Sequence, residues 1–169
     1  MDEDEFDEFY AASAQRITSQ VYAMVGDRDV AQDCVQEAFA RVWARRRRFG
    51  DVQYREAWVR TTAYRLAVDR WRRGARARRE PDRALEGSGV VAPPDESYVA
   101  VVTALRELPE TYRRAIVLHH LADLPVRDVA LELGVPEGTV KTWLRRGRAA
   151  LAALLAEPSA FESGVVHDG

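Results

Sequence analysis

The stretch Leu124–Arg148, LPVRDVALELGVPEGTVKTWLRRGR, admits few folds. Val126, Val129, Ala130 and Leu133 recur at helical spacing and give one apolar face. Gly134 stops that helix, because glycine takes the left-handed conformation used at a helix C-terminus. Pro136 restarts the chain at a helix edge, where its missing N–H costs nothing. In the second helix Val140 and Leu144 point inward, while Lys141, Arg145 and Arg148 line the opposite side with Thr142 and Arg146 beside them. One buried face and one cationic, hydroxyl-bearing face across a tight turn is the layout of a helix-turn-helix. Its second helix enters the major groove, where Lys and Arg reach guanine O6/N7 and threonine bonds a base edge or packs on a thymine methyl. A solvated basic helix is the competing reading of the charge alone. The glycine stop, the proline restart and the segregated faces favour DNA binding.

The overall formal charge of −2 conceals a strong asymmetry. Residues 1–40 hold ten acids against Arg16 and Arg28, whereas residues 41–79 hold fourteen arginines against Asp51, Glu56 and Asp69. The local field, more than the total, determines partners. No apolar run approaches the roughly 20 residues that span a bilayer. The start, MDEDEFDEF, is the reverse of a basic signal-peptide n-region. Cys34 is the only cysteine and makes no internal disulfide, and no Cys/His cluster suggests zinc. A cytoplasmic chain with no metal, no cofactor and no membrane insertion is expected.

In order, the spacing predicts a helix over Phe6–Met24, broken at Gly26-Asp27. Asp29 is the expected N-cap of a second helix carrying Val30, Cys34, Val35, Ala38, Phe39, Val42 and Trp43. That apolar set is wider than a stripe, and Asp29, Asp33 and Glu37 repeat at i+4, so this helix reads either as a solvated face or as a docking surface for a basic partner. The cations Arg45–Arg48 suit its C-terminus. After a loop over 49–53, a third helix from Tyr54 to Arg79 interleaves Trp58, Tyr64 and Trp71 with arginines. Aromatics stack on unpaired bases and arginines bind phosphates, so the mixture suits melting DNA; at least one tryptophan is expected in the core, with Trp58 the better candidate for exposure. The segment EPDRALEGSGVVAPPDE, residues 80–96, reads as a mobile linker. Helices then follow over Tyr98–Leu108 and Tyr112–Ala122, with His119 and His120 diverging too far round the second to share a metal. Past the helix-turn-helix, Ala149–Leu155 extends the last helix and Ser159–Gly169 frays. The expected fold is all-α: two small helical domains, 1–79 and 97–157, joined by the flexible linker 80–96 and followed by a tail over 158–169.

Two motifs on either side of the linker resemble one family. DRDVAQDCVQEAFARVW (Asp27–Trp43) with AWVRTTAYRLAVDRWRR (Ala57–Arg73) resembles the second conserved region of extracytoplasmic-function sigma factors, the minimal two-domain RNA polymerase sigma subunits. LRELPETYRRAIVLHHLADLPVRDVALELGVPEGTVKTWLRRGRAAL (Leu105–Leu151) resembles the fourth region. The resemblance covers roughly residues 5–156. It implies that Asp33, Gln36, Glu37, Phe39 and Trp43 dock on the clamp helices of the largest polymerase subunit. It implies that the Phe49–Arg55 loop and the following helix open the minus-ten element and hold an extruded base, with Trp58, Arg60, Tyr64 and Arg65 the candidates. Lys141, Thr142, Arg145 and Arg146, with Thr139 and Trp143 on the same helix, fall where the family reads the minus-thirty-five element. Promoter DNA, core RNA polymerase (clamp helices and flap) and an anti-sigma protein are the implied partners. Three positions depart from the family pattern: Gln32 where Glu is frequent, Arg65 where many members carry Asn, and Trp143 where Arg is common. The promoter sequence therefore does not transfer from relatives.

A stand-alone helix-turn-helix regulator is the alternative, but a sensor domain has no need of the basic, aromatic 54–79 segment. An enzyme is not expected: the chain has no paired acid/base constellation, nucleophile motif or phosphate-cradling glycine loop.

Overall fold

The computed structural model describes residues 1–49, 54–76 and 95–156. Within them the chain is helical and contains no strand. The expected linker falls outside the described residues except for Asp95 and Glu96, as do most of the loop over 49–53, the end of the third helix beyond Arg76 and the tail.

Helix α1 (Glu3–Val25) begins at a reciprocal cap: Asp2 accepts from the Glu5 N–H and Glu5 accepts from the Asp2 N–H, each at 2.9 Å. Glu3, Asp4 and Glu5 place negative charge at the positive end of the helix dipole. The helix stops at Gly26, whose φ of 76° only glycine adopts without strain. Helix α2 (Arg28–Ala44) is capped by Asp27, which accepts from the Val30 N–H at 3.1 Å. The expected cap, Asp29, instead lies within the first turn: the left-handed Gly26 turns the chain early enough for Asp27 to take the extended cap conformation. A short 3₁₀ turn (Arg46–Arg48) follows, and then α3 (Arg55–Arg76). These three helices pack pairwise around Ile17, Val21, Met24, Cys34, Val35, Phe39, Val42, Val59, Ala63 and Ala67.

Helices α4 (Glu96–Arg106), α5 (Glu110–Ile116), α6 (Val126–Leu133) and α7 (Glu137–Ala156) make the second group. Asp95 caps α4 by accepting from the Ser97 N–H at 3.1 Å. Helix α5 runs into one π-helical turn (Val117–Leu121), closed by the Ala122 N–H on the Val117 carbonyl at 3.0 Å. The helix-turn-helix forms as its punctuation requires: Gly134, at φ 68°, ends α6 and α7 begins just past Pro136. Gly147 sits where α7 crosses α5, close against Ile116 and Tyr112.

The two groups do not sit apart. α1 packs against α4 and the π-helical turn, and the buried side chains of both groups form one cluster.

Candidate nucleic-acid interface

On α7, Lys141, Arg145, Arg146 and Arg148 are exposed, while Val140 and Leu144 are buried against the rest of the unit. The amphipathic spacing thus delivers a continuous cationic face. Thr139 is half-buried near the helix start. Thr142 donates its hydroxyl hydrogen to the Gly138 carbonyl at 3.1 Å, which leaves its oxygen free to accept from a base amine. Trp143 is half-buried and packs on the core, so its indole supports the helix. Arg148 Nη1 lies 3.5 Å from His120 Nε2 on the π-helical turn. Its neighbour His119 is tied back through Nδ1 to the Leu124 carbonyl at 2.8 Å.

His120 has its pKa lowered by partial burial, then by His119, then by Arg148. The folded chain therefore holds this proton less tightly than the unfolded chain. The resulting stability is full above the ordinary value of 6.5 and is lost as pH falls through the lowered one. In an NMR titration His120 is expected to titrate below 6.5, and Arg148→Gln to move it part of the way back. A midpoint at or above 6.5 would contradict this geometry.

Helix α3 distributes its candidates differently from the sequence expectation. Trp58 is half-buried and meets Phe49 edge to face, ring centroids 5.2 Å apart. Trp71 is the exposed tryptophan: 74% of its surface is open, the largest share among the exposed large apolar side chains described. It sits toward the helix end, one turn beyond the buried Ala67. Arg65, Asp69, Arg70, Arg72 and Arg73 are exposed along the same stretch. Arg60 and Tyr64 are not on a free surface. They lie on the stripe of Ala63 and Ala67 and are buried against the second helical group.

There Arg60 makes a two-pronged ion pair with Glu132 of α6, Nε and Nη2 each 2.8 Å from a carboxylate oxygen, and donates from Nη1 to the Gln20 side chain at 2.8 Å. The two side chains are only 3% and 5% exposed. Tyr64 donates its hydroxyl to Glu110, and the Arg114 guanidinium stacks 4.0 Å above its ring. Burial, reinforced by that hydrogen bond, raises the Tyr64 pKa far out of the physiological range. Tyr98 of α4 donates to the Ser19 carbonyl at 2.6 Å and packs on Tyr22; burial, then Tyr22, pushes its pKa up to about 12. Glu132, Glu110 and Gln20 are contacts that pattern reading missed. Gln20 carried a signal: a polar side chain between Ile17 and Met24 on the buried stripe of α1 requires a partner.

On α2, Gln36 is exposed and Asp33 and Glu37 are half-exposed. Asp33 pairs with Arg70 at 3.3 Å and Glu37 with Arg41 at 2.8 Å. Trp43 is half-buried, with Arg46 stacked 4.0 Å above it and Phe6 5.0 Å away. Phe39, expected on the docking surface, is 2% exposed and sits among Phe6, Phe9 and Tyr10. The acidic N-terminal turns of α1 bring those aromatics over it, which converts the excess apolar width of α2 into core. Cys34 is also buried, and burial pushes its thiol pKa to about 11 against the opposing pull of Arg70. Among the described residues no group of three His, Cys, Asp or Glu is placed to hold a metal ion, and no helix is long and apolar enough to cross a membrane.

Residues 9–77 match the family model for sigma-70 region 2, and residues 98–151 that for sigma-70 region 4. The chain is 29% identical over 170 aligned residues to the ECF RNA polymerase sigma factor SigW of Bacillus subtilis, covering 89% of this chain and 88% of SigW. It is 32% identical to the ECF sigma factor SigL of Mycobacterium tuberculosis, covering 79% of each. It spans less than two thirds of the length of some other curated relatives. Among solved structures, the sigma factor RpoE in complex with the anti-sigma factor NepR from Bartonella quintana superposes with a TM-score of 0.73 at 23% identity, covering 89% of this chain and 96% of RpoE, a likeness of fold.

Proposed function

Because the chain belongs to the extracytoplasmic-function (ECF) RNA polymerase sigma factors, we propose that it binds core RNA polymerase and directs it to a specific set of promoters. The observation that carries this reading is the cationic face of α7 on an intact helix-turn-helix, joined in one chain to the acidic face of α2. We divide the chain into a core-docking and minus-ten unit (1–79), a linker (80–96), a minus-thirty-five unit (97–157) and a tail (158–169). Asp33, Gln36 and Glu37 meet the clamp helices of the largest polymerase subunit, with Trp43 at the edge of that surface, and the second unit contacts the flap. Lys141, Thr142, Arg145 and Arg146 read the minus-thirty-five element in the major groove. On α3, Arg65, Arg72 and Arg73 bind phosphates and Trp71 offers a stacking face to an unpaired base. The role is recruitment and strand opening, with bond chemistry left to the polymerase. That work belongs in the bacterial cytoplasm, and an anti-sigma protein is the natural inhibitor of the free subunit.

The test is run-off transcription with purified core polymerase on a pool of genomic promoter fragments. Chain-dependent transcripts sharing two upstream elements support the reading. Absence of a polymerase complex, together with dimeric binding to palindromic duplex DNA, would replace it with a stand-alone regulator. Arg145→Ala or Lys141→Ala is expected to weaken cognate binding by about 1–3 kcal/mol if the side chain makes a two-pronged base contact. Equal losses on cognate and random duplex would instead assign that side chain to a phosphate. Glu37→Gln is expected to weaken polymerase docking while leaving duplex binding by α7 unchanged.

A further inference from the structure

We infer that His120 and Arg148 form a phosphate site for duplex DNA at the rim of the groove that α7 enters, and that DNA bound there brings a proton onto His120. This rests on the reading of α7 as a groove-entering helix. His119 and His120 are consecutive, and within the π-helical turn their rings meet edge to face, centroids 4.8 Å apart. His119 is tied down. The Leu124 carbonyl can only accept, so Nδ1 carries the hydrogen of that 2.8 Å bond. His120 is the exposed member of the pair, and its Nε2 faces Arg148 Nη1 at 3.5 Å. A guanidinium can only donate, so Nε2 offers a lone pair and the ring is neutral. At that length the contact is weak, and a phosphate oxygen readily takes its place.

The charges around His120 call for an anion that the chain itself does not supply. The groups that face it are His119 on its own turn, Asp123 lining the same cleft and Arg148 on α7. Helices α1 and α6 also pack on the turn and bring no charge that shifts it. Among the described residues no carboxylate pairs with His119, His120 or Arg148. Partial burial, then His119, then Arg148 all disfavour a proton on His120 in the free chain. A phosphate between His120 and Arg148 offsets both of the electrostatic contributions.

Position identifies the anion. Arg148 lies two turns after Lys141 on the exposed stripe of α7, about 10 Å further along the helix at about 1.5 Å per residue. The major groove is about 8.5 Å deep. With the start of α7 leading into it, Lys141 reaches base edges while Arg148 stands level with the sugar–phosphate wall, and His120 stands beside Arg148. Such a contact fixes the depth and angle of the helix and carries no base information. Phosphate makes His120 hold its proton more tightly in the complex than in the free chain. Duplex affinity is therefore flat at alkaline pH and rises as pH falls through the bound pKa. It levels off below the free one, which lies under 6.5. A difference of about one unit between the two makes the whole gain about tenfold.

The full-length chain tests this with a labelled random-sequence duplex, its Kd followed by fluorescence anisotropy from about pH 8 to about pH 5.5, where imidazole titrates. Wild type is expected to bind about tenfold more tightly at the acid end. His120→Gln keeps a neutral acceptor for Arg148, so it should match wild type at the alkaline end and lose most of the acid gain. At the acid end its log Kd should depend less steeply on log salt, by about 0.9, the share of one phosphate contact. By NMR, the duplex should move the wild-type His120 midpoint up by about one unit. Equal acid gains in wild type and His120→Gln, or a midpoint that duplex leaves unmoved, overturn the proton uptake. Arg148→Gln that binds duplex as tightly as wild type overturns the phosphate site. Inorganic phosphate that moves the midpoint as far as duplex, at equal phosphate concentration, overturns the assignment to DNA. A chain that binds no duplex at any pH overturns the site together with the reading of α7. Failure of the promoter reading alone appears as absence of chain-dependent transcripts and leaves the titration standing.

Discussion

Phe39→Ala is expected to destabilise the α1–α3 unit by about 3–5 kcal/mol, the range for truncating a fully buried phenylalanine. Phe39 is the largest fully buried side chain among the described residues, and its ring contacts Phe6, Phe9 and Tyr10 with centroids 6.3, 5.4 and 4.9 Å away. Deletion forfeits the transfer term and three aromatic contacts, and α1 and α2 are each too long and too well capped to collapse into the gap. The measurement is urea denaturation followed by tyrosine and tryptophan fluorescence, compared with Glu37→Gln. The Glu37 variant should unfold within about 0.5 kcal/mol of wild type, as a surface substitution does. A Phe39→Ala chain that keeps wild-type stability but no longer binds polymerase would return Phe39 to the docking surface.

Gly147→Leu is expected to abolish a stable α5–α7 crossing, with a loss of about 1–3 kcal/mol or more from overpacking. A Cβ at Gly147 would come 2.7 Å from Ile116 Cδ1 and 3.2 Å from Tyr112 Cβ. Alanine is a graded control. The Ile116 tip can rotate away from one added methyl, and the helix gains about 1 kcal/mol of propensity from losing its glycine, so Gly147→Ala should sit near wild type. Leucine has no such exit. The readouts are the thermal transition and duplex binding by α7, which should fall together because the crossing sets the angle at which α7 is presented. Unchanged melting in Gly147→Leu would mean that the two helices part without cost.

The helix-turn-helix was legible because it is written in local punctuation: Gly134 and Pro136 fix its turn, and the apolar spacing of α6 and α7 fixes its buried side. The cationic face of α7 followed from the same spacing. The third helix was legible as a helix but not as a surface. Trp58 and Trp71 look alike in a list of aromatics, and what separates them is tertiary: Phe49 folds over one and nothing described covers the other. Phe39 misled for a related reason. A wide apolar face on α2 fits a partner protein and an aromatic-rich α1 equally well, and only the crossing of the two helices selects between them. Arg60 is the instructive case: expected at the minus-ten surface, it lies on the buried Ala63–Ala67 stripe, and its partner is 72 residues away, a distance no local pattern announces.

That ion pair also bears on how freely such a chain can be cut and recombined. Grafting a fourth-region module from a relative onto this second-region module is attractive as a way to re-aim promoter choice. Each graft, however, brings its own residue to the place of Glu132. A lysine or arginine there would set two cations against each other, and a leucine would strand Arg60 beside Gln20. The two halves are therefore not interchangeable parts, and across natural relatives the charges at positions 60 and 132 should vary as a pair.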